Sequence, residues 1–116
     1  MSKIKKFKAE RERLNNIIMK YAGLETKRFF SLDSQVYREG GALPVKIKEL
    51  LGLVASMVLR CDDCINYHII RCFEEGITDE ELEEALSISL IVGGSITIPH
   101  MRRAYDSWED LKIAQK

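Results

Sequence analysis

The spacing of apolar residues along the chain predicts helices from one end to the other. Proline occurs only at positions 44 and 99, and no stretch alternates apolar and polar residues as a half-buried strand would. Apolar side chains instead recur at steps of three, four and seven residues, as Ile4, Phe7 and Leu14 do in the segment 3–22. The pattern favours an all-α fold of about six helices.

Two further helices are predicted in the first half of the chain. Residues 25–38 form a weaker segment that offers Phe29, Leu32 and Val36 to the core. Pro44 suits the first turn of the next helix, whose body, IKELLGLVASMVL, is apolar on nearly every side. We expect this third helix to lie in the centre of the domain.

Three more helices are predicted to start near residues 61, 78 and 99. Asp62 and Asp63 are the carboxylates expected in a first turn, so a helix should begin near Cys61. The sequence TDEE at 78–81 has the pattern of a capping box, and Pro99 can begin the last helix. If the chain reverses near residue 60, the third and fourth helices would form a central antiparallel hairpin.

Length and charge limit the kinds of protein to consider. The 116 residues suffice for one core, so residues 1–116 are expected to form a single domain. Eighteen basic residues balance eighteen acidic ones, which predicts neither nucleic acid nor an anionic membrane as a partner. No long apolar run suggests a membrane span or a secretory signal, so we expect a cytoplasmic protein.

The chemistry is concentrated in the segment RCDDCINYHIIRC, residues 60–72. On a helix Cys61, Cys64 and His68 share one face, with Cys72 one turn further on. A Cys-x-x-Cys pair at a helix start can close into a disulfide, and in a reducing compartment such a pair is more often catalytic or metal-binding than structural. Cys64 is nearer the imidazole and Cys61 nearer the free backbone N–H groups, so either thiol could be the nucleophile.

Glu49 is the candidate partner of the histidine. If the chain reverses near residue 60, Glu49 stands about 16 Å along one helix and His68 about 12 Å along the other, a difference that side chains can span. A carboxyl group there could hold the imidazole tautomer and relay protons. Asp62 and Asp63 should disfavour ionisation of the neighbouring thiols, because nearby negative charge raises a thiol pKa.

Taken together, these residues resemble a known family. Glu49, Cys61, Cys64 and His68 coincide in spacing with the redox signature of the carboxymuconolactone decarboxylase-like family, in its alkylhydroperoxidase D-like branch. The segments GGALPVKIKELLGLVAS and EEGITDEELEEAL look like its flanking regions, and the resemblance is strongest over residues 29–108. One position departs from the pattern: well-studied peroxidases of this branch have a histidine where Asp63 stands.

The resemblance implies a peroxidase or thiol–disulfide oxidoreductase. Members of the branch are all-helical, form trimers or hexamers, and reduce peroxides through an intramolecular disulfide. For this protein we expect such chemistry without a metal or organic cofactor. By that resemblance Cys64 would attack the peroxide, Cys61 would resolve the intermediate, and His68 with Glu49 would relay protons. The implied partners are a hydroperoxide, a lipoyl or thioredoxin-like dithiol reductant, and further copies of the chain.

Several alternatives accompany this hypothesis. The two cysteines could be buried and unreactive, or could bind zinc with His68 and with Cys72 or His100 as fourth ligand. The family also includes lactone decarboxylases that use a histidine and no cysteine pair, and a non-enzymatic redox sensor is a further alternative. Outside the signature, we expect Cys72 in the core and His100 at the surface or at a helix cap. Tyr105 and Trp108 are expected in the core or at a subunit interface.

Overall fold

The computed structural model describes residues 2–115, and six α-helices account for most of them. The prediction of an all-α fold with about six helices is confirmed. A single turn of 3₁₀ helix, Ser95–Thr97, separates the last two α-helices. The α-helices are α1 (Lys3–Tyr21), α2 (Leu24–Val36), α3 (Val45–Leu59), α4 (Asp62–Glu74), α5 (Asp79–Gly93) and α6 (Ile98–Ala114).

The central unit is the antiparallel hairpin of α3 and α4. α3 also packs on α5, and α4 packs on α6, so the hairpin lies between the two C-terminal helices. The chain reverses at Arg60, which has left-handed backbone angles of φ 59° and ψ 42°. In this turn the N–H of Cys61 donates to the carbonyl of Ser56 at 3.2 Å, which satisfies one carbonyl at the end of α3.

The core forms between these four helices. Leu53 and Met57 from α3 are fully buried, as are Ile65 and Ile69 from α4. The other members of the same buried cluster are Ile4, Ile70, Cys72, Ile77, Leu82, Leu86, Ala104, Trp108 and Leu111. The predicted core positions of Cys72 and Trp108 are therefore confirmed, and Tyr105 packs against the same cluster half-buried.

Local capping places the later helices. The Thr78 hydroxyl accepts from the N–H of Glu81 at 3.1 Å, and the Glu81 carboxylate accepts from the N–H of Thr78 at 2.9 Å. This reciprocal pair is the predicted capping box at the start of α5. Pro99 lies in the first turn of α6, as expected from its fixed φ.

The second helix differs from its prediction. Phe29, Leu32 and Val36 do form one stripe on α2, but none of them enters the core: their exposed fractions are 70%, 58% and 59%. No residue of α2 is buried. Periodicity established that these side chains share a face, whereas it contained no information on what that face contacts.

The first helix is held mainly at its start. Ile4 is its one buried residue, and the N–H of Ile4 donates to the Asp110 carboxylate of α6 at 3.0 Å. Further along α1, Leu14, Ile18 and Tyr21 are exposed. Within residues 2–115 no helix has both the length and the apolar character that crossing a bilayer requires.

Candidate dithiol site

The two cysteines of the Cys-x-x-Cys segment lie in the first turn of α4. Cys61 is the N-cap residue, and its sulfur accepts a hydrogen bond from the N–H of Cys64 at 3.3 Å. This bond takes the place that a serine or aspartate oxygen usually occupies at a helix start. Both are free thiols, Cys61 half-buried and Cys64 exposed. The predicted position of the pair at a helix start is confirmed.

The surroundings of Cys64 favour the protonated thiol. The hydrogen bond with the Cys61 sulfur, partial burial and the negative charge of Asp63 together raise the pKa of Cys64 to about 11. The prediction that Asp63 raises a thiol pKa is confirmed for Cys64. A thiol with its pKa raised this far above neutrality is almost entirely protonated at pH 7, so a base is needed for it to react quickly.

His68 and Glu49 form a buried pair one turn beyond Cys64. The His68 Nδ1 and the Glu49 Oε1 are 2.9 Å apart, and 1% of Glu49 is exposed. The second carboxylate oxygen lies 3.4 Å from the Arg71 Nε. An ionised carboxylate can only accept a hydrogen bond, so this contact favours the tautomer with the proton on Nδ1, which leaves Nε2 as the unprotonated nitrogen. The predicted approach of Glu49 to His68 across the hairpin is confirmed.

Gly52 makes room for this imidazole. A Cβ atom at position 52 would stand 2.6 Å from the His68 Cε1, 2.8 Å from Nε2, and 2.6 Å from the Tyr37 hydroxyl oxygen. The rings of Tyr37 and Tyr67 lie 5.5 and 5.2 Å from the imidazole ring, measured between centroids. Burial raises the pKa of both tyrosines, so both hydroxyl groups stay protonated near neutral pH.

A cavity of about 310 Å³ opens beside Cys64 and His68. Phe29 and Phe30 from α2 supply an apolar wall, and the Tyr67 ring supplies another. The Arg11 guanidinium of α1 lies over the Tyr67 ring, 4.4 Å from its centroid. The full lining is Arg11, Phe29, Phe30, Asp33, Asp63, Cys64, Tyr67 and His68. A small organic molecule in this space would meet the Cys64 thiol and the imidazole together.

Asp62 belongs to a separate polar cluster that joins α4 to α6. Its carboxylate lies 2.8 Å from the His100 Nδ1 and accepts from the Arg103 Nε at 3.1 Å. Burial acts to raise the pKa of Asp62, but the hydrogen bonds with His100 and Arg103 outweigh it and lower the pKa. His100, predicted as a surface or cap residue, is instead half-buried and helps to fix the start of α4. The negative charge of Asp62 is thereby paired with the Arg103 guanidinium, which leaves Asp63 as the acid that acts on Cys64.

The other residues that the sequence suggested do not join the thiol pair. Cys72 is fully buried in the core, and burial raises its pKa to about 12, so it is a poor nucleophile in the folded chain. Among residues 2–115 no three His, Cys, Asp or Glu side chains converge as metal ligands do. The zinc alternative therefore has no ligand set in the described part of the chain.

The sequence did not indicate several residues of the site, namely Arg11, Phe30, Asp33, Tyr37, Gly52, Tyr67 and Arg71. Arg71 follows His68 by three positions on the same helix, so helical spacing could have indicated it. Arg11, Phe30 and Tyr37 come from other parts of the chain and reach the site only through the tertiary fold. No local pattern distinguishes them from ordinary surface residues.

The fold and the site together define a helical dithiol protein, in which a Cys-x-x-Cys helix start lies beside a buried His–Glu pair. A sequence model of the carboxymuconolactone decarboxylase family matches residues 25–107. The chain belongs to this family.

Solved structures agree with this assignment. The crystal structure of TM1620 from Thermotoga maritima is 58% identical in sequence and superposes with a TM-score of 0.92 over 96% of both chains. A second crystal structure of TM1620, also 58% identical, gives a TM-score of 0.89 over 95% of this chain and 92% of that one. It is described as a carboxymuconolactone decarboxylase family protein with an antioxidative response given as a possible role.

Two curated relatives match shorter regions. Uncharacterized protein H16_B0147 of Cupriavidus necator is 34% identical over 56 residues, which is 48% of this chain and 50% of that protein. Uncharacterized protein 4 in cox locus of Paracoccus denitrificans is 28% identical over 76 residues, 66% of this chain and 68% of that protein. The chain thus matches about half the length of the first relative and about two thirds of the second.

Proposed function

We propose that the protein is an alkylhydroperoxidase-like peroxidase that reduces hydroperoxides by cycling Cys61 and Cys64 between dithiol and disulfide. The observation that carries the proposal is the position of Cys64: exposed in a cavity, hydrogen-bonded to Cys61, and one turn from the buried His68–Glu49 pair. The antioxidative response suggested for TM1620 points in the same direction.

The reaction needs only the two thiols and the peroxide. The Cys64 thiolate attacks one peroxide oxygen, the O–O bond breaks, and the alkoxide takes a proton to leave as the alcohol. Cys64 is then a sulfenic acid. The Cys61 sulfur attacks the Cys64 sulfur, the S–O bond breaks, and water leaves with a disulfide remaining. The two electrons that reduce the peroxide come from the two thiols.

His68 is proposed to move the protons of this sequence. Because its surroundings raise the pKa of Cys64 to about 11, little thiolate is present at neutral pH, and the His68 imidazole is proposed to take the thiol proton as the sulfur attacks. The same imidazolium can return a proton to the departing alkoxide. Glu49 fixes the tautomer and stabilises the charge of the imidazolium that forms between the two steps, while Arg71 holds the other oxygen of the Glu49 carboxylate.

The disulfide must be reduced again by an external dithiol. We propose a lipoyl or thioredoxin-like group as this reductant, acting in a reducing, cytoplasmic environment. Cys64 is the more exposed of the two sulfurs, and an incoming thiolate would therefore attack it through a mixed disulfide.

Assembly of several copies is part of the proposal. The apolar face of α2, formed by Phe29, Leu32 and Val36, has no partner in its own chain within the described residues. A second copy of the chain could cover it, and the exposed Ile88 and Ile91 of α5 supply apolar surface of the matching kind. We propose a homotrimer or a hexamer built in this way.

Peroxide consumption with dithiothreitol as reductant tests the proposed reaction. We expect turnover in the wild type and in Cys72→Ser, and a loss of at least about 100-fold in both Cys61→Ser and Cys64→Ser. Mass spectrometry after one equivalent of peroxide should show a bond between residues 61 and 64. Turnover retained in both serine variants would reject the peroxidase.

The cysteine variants, together with His68→Ala, distinguish the peroxidase from the alternative functions. A lactone decarboxylase would depend on His68 and not on the cysteines, so it would keep its activity in Cys61→Ser and lose it in His68→Ala. A redox sensor would form the disulfide without sustained turnover.

A further inference from the structure

The cavity beside Cys64 is lined by two carboxylates that form no ion pair within the described residues. Asp33 comes from α2 and Asp63 from the first turn of α4, and both line the cavity. Neither side chain takes part in an ion pair or hydrogen bond found within residues 2–115. Asp62, the acid between Cys61 and Asp63, contrasts with them because it is held by His100 and Arg103.

The other charges around the cavity do not cancel these two. Glu49 and Arg71 face each other behind the imidazole and compensate one another. Arg11 is the one cation of the lining, and its guanidinium is placed over the Tyr67 ring. With His68 neutral, the lining therefore carries two negative charges against one positive charge, next to a thiol that must itself become an anion.

We propose that Asp33 and Asp63 act as a charge filter, so that Cys64 selects uncharged reactants and discriminates against anionic ones. The aromatic wall of Phe29, Phe30 and Tyr67 provides contact for an apolar body, while the two carboxylates disfavour an acid group on the same molecule. Applied to the proposed function, on which this extension rests, the substrate is a neutral organic hydroperoxide in preference to one bearing a carboxylate.

Alkylation of Cys64 measures the filter without requiring peroxidase activity. Iodoacetamide and iodoacetate are nearly the same size and react alike, with the thiolate displacing iodide, but the first is neutral and the second is an anion. The ratio of their rate constants at Cys64, followed by peptide mass spectrometry, cancels any change in the Cys64 pKa. The unfolded, reduced chain gives the reference ratio.

The folded wild type should prefer iodoacetamide several-fold more strongly than the unfolded chain does. Asp63→Asn and Asp33→Asn should each lower the ratio by about threefold at low salt, as a unit charge a few ångströms away in a water-like dielectric would. Asp33→Asn is the sharper variant, because residue 33 is distant from residue 64 in sequence and acts on it only in the fold. Raising the ionic strength should remove most of the preference.

Asp106→Asn is the matched control. Asp106 is an exposed aspartate that pairs with Lys3 outside the cavity, so the variant changes the net charge equally. The inference is overturned if the folded and unfolded chains give the same ratio, or if the cavity variants change it no more than Asp106→Asn does. If a cavity variant does not fold, the salt dependence of the wild-type rate ratio tests the inference instead. A ratio that does not change with ionic strength would contradict it.

A second pair of reagents connects the filter with the proposed reaction. Cumene hydroperoxide is neutral, and its ring-carboxylated analogue is an anion of similar shape. We expect a higher kcat/KM for the neutral peroxide and a smaller difference in Asp33→Asn. If neither peroxide turns over while the alkylation ratios behave as expected, the charge filter stands and the proposed peroxidase fails. If both turn over equally well, the peroxidase stands and the filter fails.

Discussion

At the scale of single residues, the pair of Glu49 and His68 determines which imidazole nitrogen can act as a base. Glu49 is almost completely buried, yet both its oxygens have partners, at 2.9 Å from His68 and 3.4 Å from Arg71. A buried carboxylate without such partners would be costly, whereas a paired one can hold a tautomer at little cost. Glu49 therefore holds the imidazole ring in position and also provides the negative charge beside it.

Replacing Glu49 by glutamine tests this role. The amide keeps the shape but cannot stabilise an imidazolium, so we expect the rate of Cys64 oxidation by peroxide to fall at least about tenfold. The free energy of unfolding should fall by about 1–3 kcal/mol, because Arg71 loses a buried partner, and the fold should persist. The measurements are stopped-flow oxidation over a range of pH and urea unfolding.

Glu74→Gln is the control for that experiment, since Glu74 also pairs with Arg71 at 2.8 Å but does not touch His68. It should leave the pH–rate profile unchanged. If Glu49→Gln also leaves the profile unchanged, Glu49 is not part of the proton relay.

The buried thiol of Cys72 predicts how the stability of the fold changes with pH. Burial raises its pKa from about 9 to about 12, so the folded state holds the proton more tightly than the unfolded state does. This contribution to stability is complete below pH 9 and is lost as the pH rises towards 12. In reducing buffer, Cys72→Ala should be less stable than the wild type near pH 7, and the difference should shrink between about pH 9 and 12. A difference that stays constant over this range would contradict the assignment.

At the scale of helices, the close approach of α3 and α4 depends on the absence of a side chain at Gly52. Glu49 and Gly52 lie on one face of α3, and the imidazole from α4 fills the space above the glycine. Tyr37, just after α2, completes the same packing with its hydroxyl group. The hairpin thus brings the acid and the histidine together, and the glycine lets the ring lie close against α3.

Gly52→Ala should therefore disturb the site more than the fold. The new Cβ would stand 2.6 Å from the imidazole, so the ring must move away from Glu49. We expect peroxide oxidation of Cys64 to slow by at least about tenfold, while the gain in helix propensity, about 1 kcal/mol, offsets part of the packing cost. The NMR titration of His68 should shift as well.

Gly93→Ala is a matched control, because its Cβ would meet the Thr97 Cγ2 at the same 2.6 Å, and its nearest neighbours are Thr97 and Val58 rather than His68 or a cysteine. It should lower stability without changing the reactivity of Cys64. Equal effects of the two variants on Cys64 would mean that Gly52 has only a general packing role.

What the sequence could predict depended on whether a feature was local. The capping box of Thr78 and Glu81 and the helix start at Cys61 were predictable because each involves neighbouring residues. The approach of Glu49 to His68 was predictable because one sharp reversal at Arg60 fixes the relation of two straight helices. Tyr37 and Arg11 were missed because their place at the site depends on the packing of α1 and α2, which the apolar pattern does not determine.

At the scale of the whole molecule, the exposed apolar side chains require an explanation. Phe29, Leu32 and Val36 of α2 are exposed together, and so are Ile88 and Ile91 of α5. Monomeric proteins seldom expose patches of this kind, which usually mark interfaces. The cavity wall formed by Phe29 belongs to the same surface, so assembly and access to Cys64 are connected.

Leu32→Glu tests the proposed assembly, because a charge in the centre of the α2 face could not be buried against a second copy. By light scattering after size-exclusion chromatography, the wild type should have three or six times the mass of the chain, and Leu32→Glu should be a monomer. Ser34→Glu is the control, since position 34 is exposed on the opposite side of α2 and carries the same new charge. It should leave the mass unchanged. A wild type that remains monomeric at micromolar concentration would show that α2 is not an interface between copies of this chain.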